Sequence, residues 1–205
     1  MSMDYWEYQQ EEAMSEYYEG LYLSEFKERA IDEFTKERLR SYYIDHPELI
    51  ISALAALTEA KKVENTSPTS AILLAGISIE LGFKIGILKP IVFGFVHSEA
   101  AAEAISNMTI KQTGIDRFKD LLITLLNDIS SVDISRFTRN GVKNTLWGER
   151  SEIQKLRNNI SHQGTICTLT ESNFAIAVAE SILSELLPQI LTSINLNITN
   201  GKIVE

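Results

Sequence analysis

The sequence predicts an all-α fold, and three observations carry that expectation. Only four of the 205 residues are Pro and ten are Gly, too few for a loop-rich sandwich, while the Leu, Ile, Ala and Glu content favours helices. Apolar residues recur at helical spacing in one segment after another. Neither a strand-rich tract nor a repeat period interrupts them, which suits a helical bundle. At 44% hydrophobic and 23% charged, the chain has the composition of one soluble globular domain with a core of its own.

Taken in order, residues 1–44 form an acidic, aromatic arm followed by a helix. The first 26 residues hold seven carboxylates and no Lys or Arg, with Tyr5, Trp6, Tyr8, Tyr17, Tyr18 and Tyr22 interleaved, a composition with many rings and little aliphatic core. From Ser24 a helical stripe of Phe26, Ala30, Phe34 and Leu39 runs until Asp45-His46-Pro47 interrupts it. The bundle proper is expected over 45–205. Pro47 opens a helix from Glu48 to Lys62 that ends in two lysines, favourable at a helix C-terminus. Asn65-Thr66-Ser67-Pro68 reads as a turn and cap, and Ser70 to Leu88 as the central core helix, stopped at Pro90. Ser98 caps a short helix through Asn107. Ile115 to Ile129 carries Phe118, Leu122, Leu126 and Ile129 at helical spacing, and Ser130 to Asn144 is loop-like. A helix from about Glu149 ends at Gly164. Glu171 to Asn197 is a last helix kinked at Pro188.

Charge and cysteine usage bound the function. A lone Cys167 forms no internal disulfide, and residues 1–20 lack a basic-then-apolar leader, so the reducing cytoplasm is expected. Ser70 to Leu88 is apolar enough to raise the question of a membrane, but Glu80, Lys84 and Lys89 break it, and no span is expected. The formal net charge of −9 argues against a broad basic surface for nucleic acid. Its distribution is uneven: residues 1–40 hold 11 acidic and 5 basic residues, whereas residues 136–157 hold Arg136, Arg139, Lys143, Arg150, Lys155 and Arg157 against Glu149 and Glu152 alone. That segment is a candidate anion site.

Several enzyme signatures are missing: a Gly-rich phosphate loop, His-Glu-x-x-His, Cys-x-x-Cys and Gly-x-Ser-x-Gly. What remains is Arg157-Asn158-Asn159-Ile160-Ser161-His162, closing a late helix. Five residues on an ideal helix place Arg157 and His162 about 140° apart, so a shared face requires the helix to finish near Ser161. Such a cluster suits a phosphodiester. Arg157 is the candidate to grip phosphate and stabilise charge on its non-bridging oxygens. His162 is the candidate to exchange a proton with a ribose 2′-OH or a leaving 5′-oxygen. Asn158 supplies a neutral amide to orient either. Lys143, Arg150 and Lys155 are candidate RNA contacts, and no metal ligand set or cofactor is expected. The bland alternative is a helix C-cap. Glu80 and Lys84, four apart, are expected to pair on one helical face, and Gly82 and Gly86 to permit close packing.

The Arg-x-x-x-x-His motif, with Asn after the Arg, resembles that of the HEPN superfamily (higher eukaryotes and prokaryotes nucleotide-binding). The similarity extends to residues 71–84, which look like that family's hydrophobic second helix with an embedded carboxylate, and covers about residues 45–195. Gln163-Gly164 stands where many family toxins carry x-Tyr. The resemblance implies an up-and-down helical bundle, with extra helices here, and metal-independent endoribonuclease activity in toxin–antitoxin, abortive-infection or antiviral systems, in a cleft formed across a homodimer. It implies Arg157 and His162 as catalytic residues and Glu80 as the carboxylate that holds the guanidinium, with RNA, a second copy of the chain and an antitoxin or defence protein as partners. A catalytically silent interaction or sensor subunit of the same fold is the alternative. A second histidine from a second chain would supply both the base and the acid that transesterification uses.

Overall fold

The all-α expectation holds: helices form the body of the chain, and a short two-stranded hairpin closes it. A computed structural model describes residues 5–111, 114–130 and 132–205, Tyr5 and Glu7 by backbone alone. Residues 1–4 of the expected arm and Ser131 of the expected loop lie outside the described residues.

The arm and the first helix are one element. Helix α1 runs unbroken over Tyr5–Asp45, because Glu, Gln, Ala, Met and Leu fill its N-terminal half and no proline interrupts it. Among its described side chains, Trp6 and those from Tyr8 through Phe34 are exposed, and Thr35, Leu39, Tyr42 and Tyr43 enter the core. Of the expected apolar stripe, Phe26, Ala30 and Phe34 are exposed and only Leu39 is buried, so burial begins at Thr35, well after the change of composition and inside α1.

The next helices are α2 (Ile51–Val63), α3 (Pro68–Leu81) and α4 (Lys89–Phe95), with α5 over Glu99–Lys111 and α6 over Lys119–Ile129. Helix α7 spans Leu146–Gln163, α8 Leu169–Ser181 and α9 Leu187–Thr192. Helix α3 is central, packed against α2, α7 and α8, with Ala71, Ile72, Ala75 and Ile79 buried. Small residues let its neighbours approach: a side chain at Gly82 would meet Ile182 and Leu183 within 3.3 Å, and one at Gly86 would meet Ile50 at 3.3 Å. Length and hydropathy alone would pass Pro68–Phe95 and Leu169–Thr192 as membrane spans, but 67% and 61% of their most apolar windows are buried inside the protein, as core helices are.

Pro90 does not stop the core helix. A proline there gives no N–H to the Gly86 carbonyl, and its ring would collide with that carbonyl in a regular α-helix. The chain widens instead into a π-helical segment, Gly82–Leu88, in which the Lys89 N–H reaches back to Lys84 O, and the helix resumes as α4. Tyr43 in α1 donates its buried hydroxyl to the freed Gly86 carbonyl at 2.8 Å. Pro188 is preceded by a second π segment, Ile182–Leu186, so the expected kink takes the same form. Tyr43→Phe is expected to cost about 1–2 kcal/mol, the usual penalty for a buried carbonyl left without its donor. Urea unfolding should show a lower midpoint at unchanged slope.

The hairpin was not anticipated from the sequence. Strands β1 (Asn197–Thr199) and β2 (Lys202–Val204) pair antiparallel, and Asn200 and Gly201 take φ of 53° and 75°, the positive pair that an Asn-Gly hairpin turn uses. Ile203 is buried, and its N–H donates to Pro47 O at 2.9 Å, tying the end of the chain to the α1–α2 turn.

Candidate functional site

Helix α7 begins three residues earlier than its spacing suggests. Thr145 is its N-cap, accepting from the Gly148 N–H, so Trp147 lies in the first turn and not ahead of it. Trp147 is 5% exposed and meets Phe83 edge-to-face at 5.4 Å, anchoring the helix. At the other end Gly164 takes φ 65°, and its N–H reaches back to the Ile160 carbonyl at 3.1 Å, the αL stop that needs a left-handed residue.

The motif residues line one groove of about 510 Å³ with Glu80, Asp116, Gln154 and Ser161. Their arrangement differs from the expected one. The helix does not finish at Ser161 but continues through Gln163, so His162 keeps its helical position. On α7, Arg157, Ser161, Gln154, Asn158 and His162 follow one another around an arc of about 140°. Arg157 and His162 stand at its two edges, with the Ser161 hydroxyl and two amides between them. Asn158 accepts from Gln154 Nε2 at 3.2 Å. Ser161 and Gln154 were legible from the same helical arithmetic that spaced Arg157 from His162. Asp116 comes from the turn before α6, and no motif announced it.

Glu80 holds the arginine. Arg157 Nη1 donates to Glu80 Oε2 at 2.6 Å, and the other Glu80 oxygen accepts from Lys84 Nζ at 2.7 Å. The Arg157 stem runs over Gly76, where a side chain would meet its Cδ at 3.3 Å. Burial alone would raise the Glu80 carboxyl, but the hydrogen bonds and charges of Lys84 and Arg157 outweigh it and hold the group below the usual carboxylate range. Lys84, 5% exposed at its side chain, also donates to the Ile110 carbonyl.

Arg150 is not a solvent-facing phosphate contact. It is 3% exposed, paired with Asp116 and set over the Trp147 ring at 5.4 Å; burial lowers its pKa, with Asp116 opposing. Each carboxylate of the groove is thus backed by a buried cation, Glu80 by Lys84 and Asp116 by Arg150. In the lining itself Arg157 stands with Glu80 and Asp116, whose charges Lys84 and Arg150 offset from outside it. Lys155 is exposed but two residues from Arg157, about 200° around the helix, and does not line the groove. Lys143 lines a separate cavity of about 950 Å³ between the 132–143 loop and α9.

The basic stretch is therefore not one patch. Arg136 pairs with Asp133, and Arg139 forms two bonds of 2.6 and 2.7 Å to buried Glu149. Most of its charge is neutralised locally by partners that sequence counting does not bring together. Among the described residues no three His, Cys, Asp or Glu side chains are placed to hold one metal ion. No protein-family model matches this chain, and neither a curated protein nor a solved structure matches it.

Proposed function

We propose that the chain is a metal-independent endoribonuclease of the HEPN kind, a cytoplasmic RNA toxin or antiviral effector that works as a homodimer. One observation carries the reading: Arg157, Asn158 and His162 line a single groove whose two carboxylates, Glu80 and Asp116, are each paired with a buried cation. With Nη1 tied to Glu80, the guanidinium stays oriented while its remaining N–H groups serve a phosphate oxygen. In the reaction one His162 removes the proton of the ribose 2′-OH, whose oxygen attacks phosphorus. The bond to the 5′-oxygen breaks, and that oxygen takes a proton from the partner copy's imidazole. The products are a 2′,3′-cyclic phosphate and a 5′-hydroxyl. RNA is the substrate, a second copy completes the cleft, and an antitoxin or defence-system protein is the further partner.

A second reading is favoured by the same ion pair. A guanidinium that already holds a carboxylate at 2.6 Å is partly neutralised, as suits a silent interaction or sensor subunit. Incubating the protein with mixed RNA in excess chelator separates the two. Fragments ending in 2′,3′-cyclic phosphate support the enzyme; intact RNA at every protein concentration supports the silent module.

A further inference from the structure

A second groove, of about 620 Å³, shares no lining residue with the one that holds Arg157. It is walled by two rows of side chains at i, i+4, i+8 spacing, which share a helix face. One is Arg38, Tyr42 and His46 at the end of α1; the other is Lys89, Phe93 and His97 along and just past α4. Tyr42 joins the rows, its ring stacked on His46 at 4.2 Å and tilted against Phe93 at 4.4 Å. Glu99 and Glu103 of α5 form the third wall.

Most donors of this groove are engaged, and its acceptors are engaged only in part: Glu103 accepts from Asn107 Nδ2 at 3.1 Å, and Glu37 lies 3.6 Å from Arg40. Arg38 Nη2 donates to the Phe93 and Val96 carbonyls at the end of α4; its buried Nε is the donor left over. Lys89 sits 3.9 Å from Glu103 and over the Phe93 ring. His46 Nδ1 is 2.9 Å from the Tyr42 carbonyl, which only accepts, so Nδ1 carries the proton and Nε2 of the neutral ring is an acceptor. Asp45 and Glu99 make no ion pair among the described residues. The Tyr42 residue is 7% exposed, and its hydroxyl has no hydrogen-bond partner. Burial and the Glu103 charge push that hydroxyl up to about 12, so it stays protonated at neutral pH. An unpartnered buried polar group is costly and rare, and marks a missing partner.

We propose that this groove binds an aliphatic oligoamine, its ammonium groups received by Tyr42, His46, Asp45, Glu99 and Glu103 and its methylenes lying along the Phe34, Tyr42 and Phe93 rings. Four carboxylates, Glu37, Asp45, Glu99 and Glu103, line it with two cations, Arg38 and Lys89, and Arg40 from outside the lining pairs with Glu37, so acidic groups still outnumber basic ones. An occupant rich in donors and positively charged fits that imbalance, and carboxylates on two walls fit a cation with charge at more than one point along its length.

Calorimetric titration of the full chain with spermidine tests this, beside n-butylamine, glycine, and magnesium chloride at matched ionic strength. Spermidine should saturate one site per chain and outcompete the others. Glu103→Gln should weaken it about tenfold and Tyr42→Phe at least about threefold, while Glu16→Gln on the exposed arm leaves it unchanged. The melting temperature of unliganded Tyr42→Phe should not fall, since the hydroxyl has no bond to lose. The proposal is overturned by non-saturating heats, by affinity that both groove variants leave intact, by glycine binding more tightly than spermidine, or by a loss of unliganded stability in Tyr42→Phe.

Discussion

His162→Ala is expected to melt at the temperature of the unaltered chain and to cleave RNA about 10²–10⁴-fold more slowly, the usual contribution of a positioned acid or base. The imidazole is exposed, so stability carries little of its role. Arg157→Ala should lower cleavage by about 10²–10³-fold, as loss of one group that stabilises the developing charge does. It should also lower stability, because its stem covers Gly76 and its head neutralises Glu80. Arg157→Lys separates these effects: it restores charge beside Glu80 and recovers stability, but a point charge replaces the planar fork, so cleavage stays impaired. Measured as rates of 2′,3′-cyclic phosphate formation in chelator, equal cleavage by His162→Ala and the unaltered chain would remove the ribonuclease reading.

What the sequence made legible follows from which forces are local. The helix stop at Gly164, the Glu80–Lys84 pair and the close approach at Gly82 are settled within a few residues or by the absence of a side chain, and were readable as such. The course of the core helix past Pro90 was not, because the group that satisfies Gly86 O is a tyrosine 43 residues away. Likewise Arg150 reads as one more cation of a basic stretch until Asp116, 34 residues earlier, meets it in the interior. The hairpin could have been read: Asn200-Gly201 between Asn197-Ile198-Thr199 and Lys202-Ile203-Val204 carries the turn chemistry in plain view. Three-residue strands at the end of a helical chain give too little alternation to stand out.

Glu80 is where fold and candidate site meet, and its removal should carry the largest stability cost. Glu80→Ala removes the carboxylate paired with the Lys84 ammonium, 5% exposed at its side chain, and losing one member of a buried ion pair costs about 3 kcal/mol. Replacing both members of the pair, Glu80→Leu with Lys84→Met, should cost less than Glu80→Ala alone, because the desolvation of both charges vanishes with their attraction. A double variant less stable than the single one would show that Lys84 does not depend on Glu80. The pH dependence has a fixed sign. Since Lys84 and Arg157 hold the folded Glu80 carboxyl below its ordinary 4.5, the unfolded chain binds that proton more tightly. The contribution to stability is whole above pH 4.5 and is lost as pH falls through the lowered folded value. In Glu80→Gln that loss should vanish, so the stability of this variant and of the unaltered chain should converge as the solution is acidified below 4.5. A constant gap between them at all pH values would mean that the carboxylate charge of Glu80 contributes nothing to the fold.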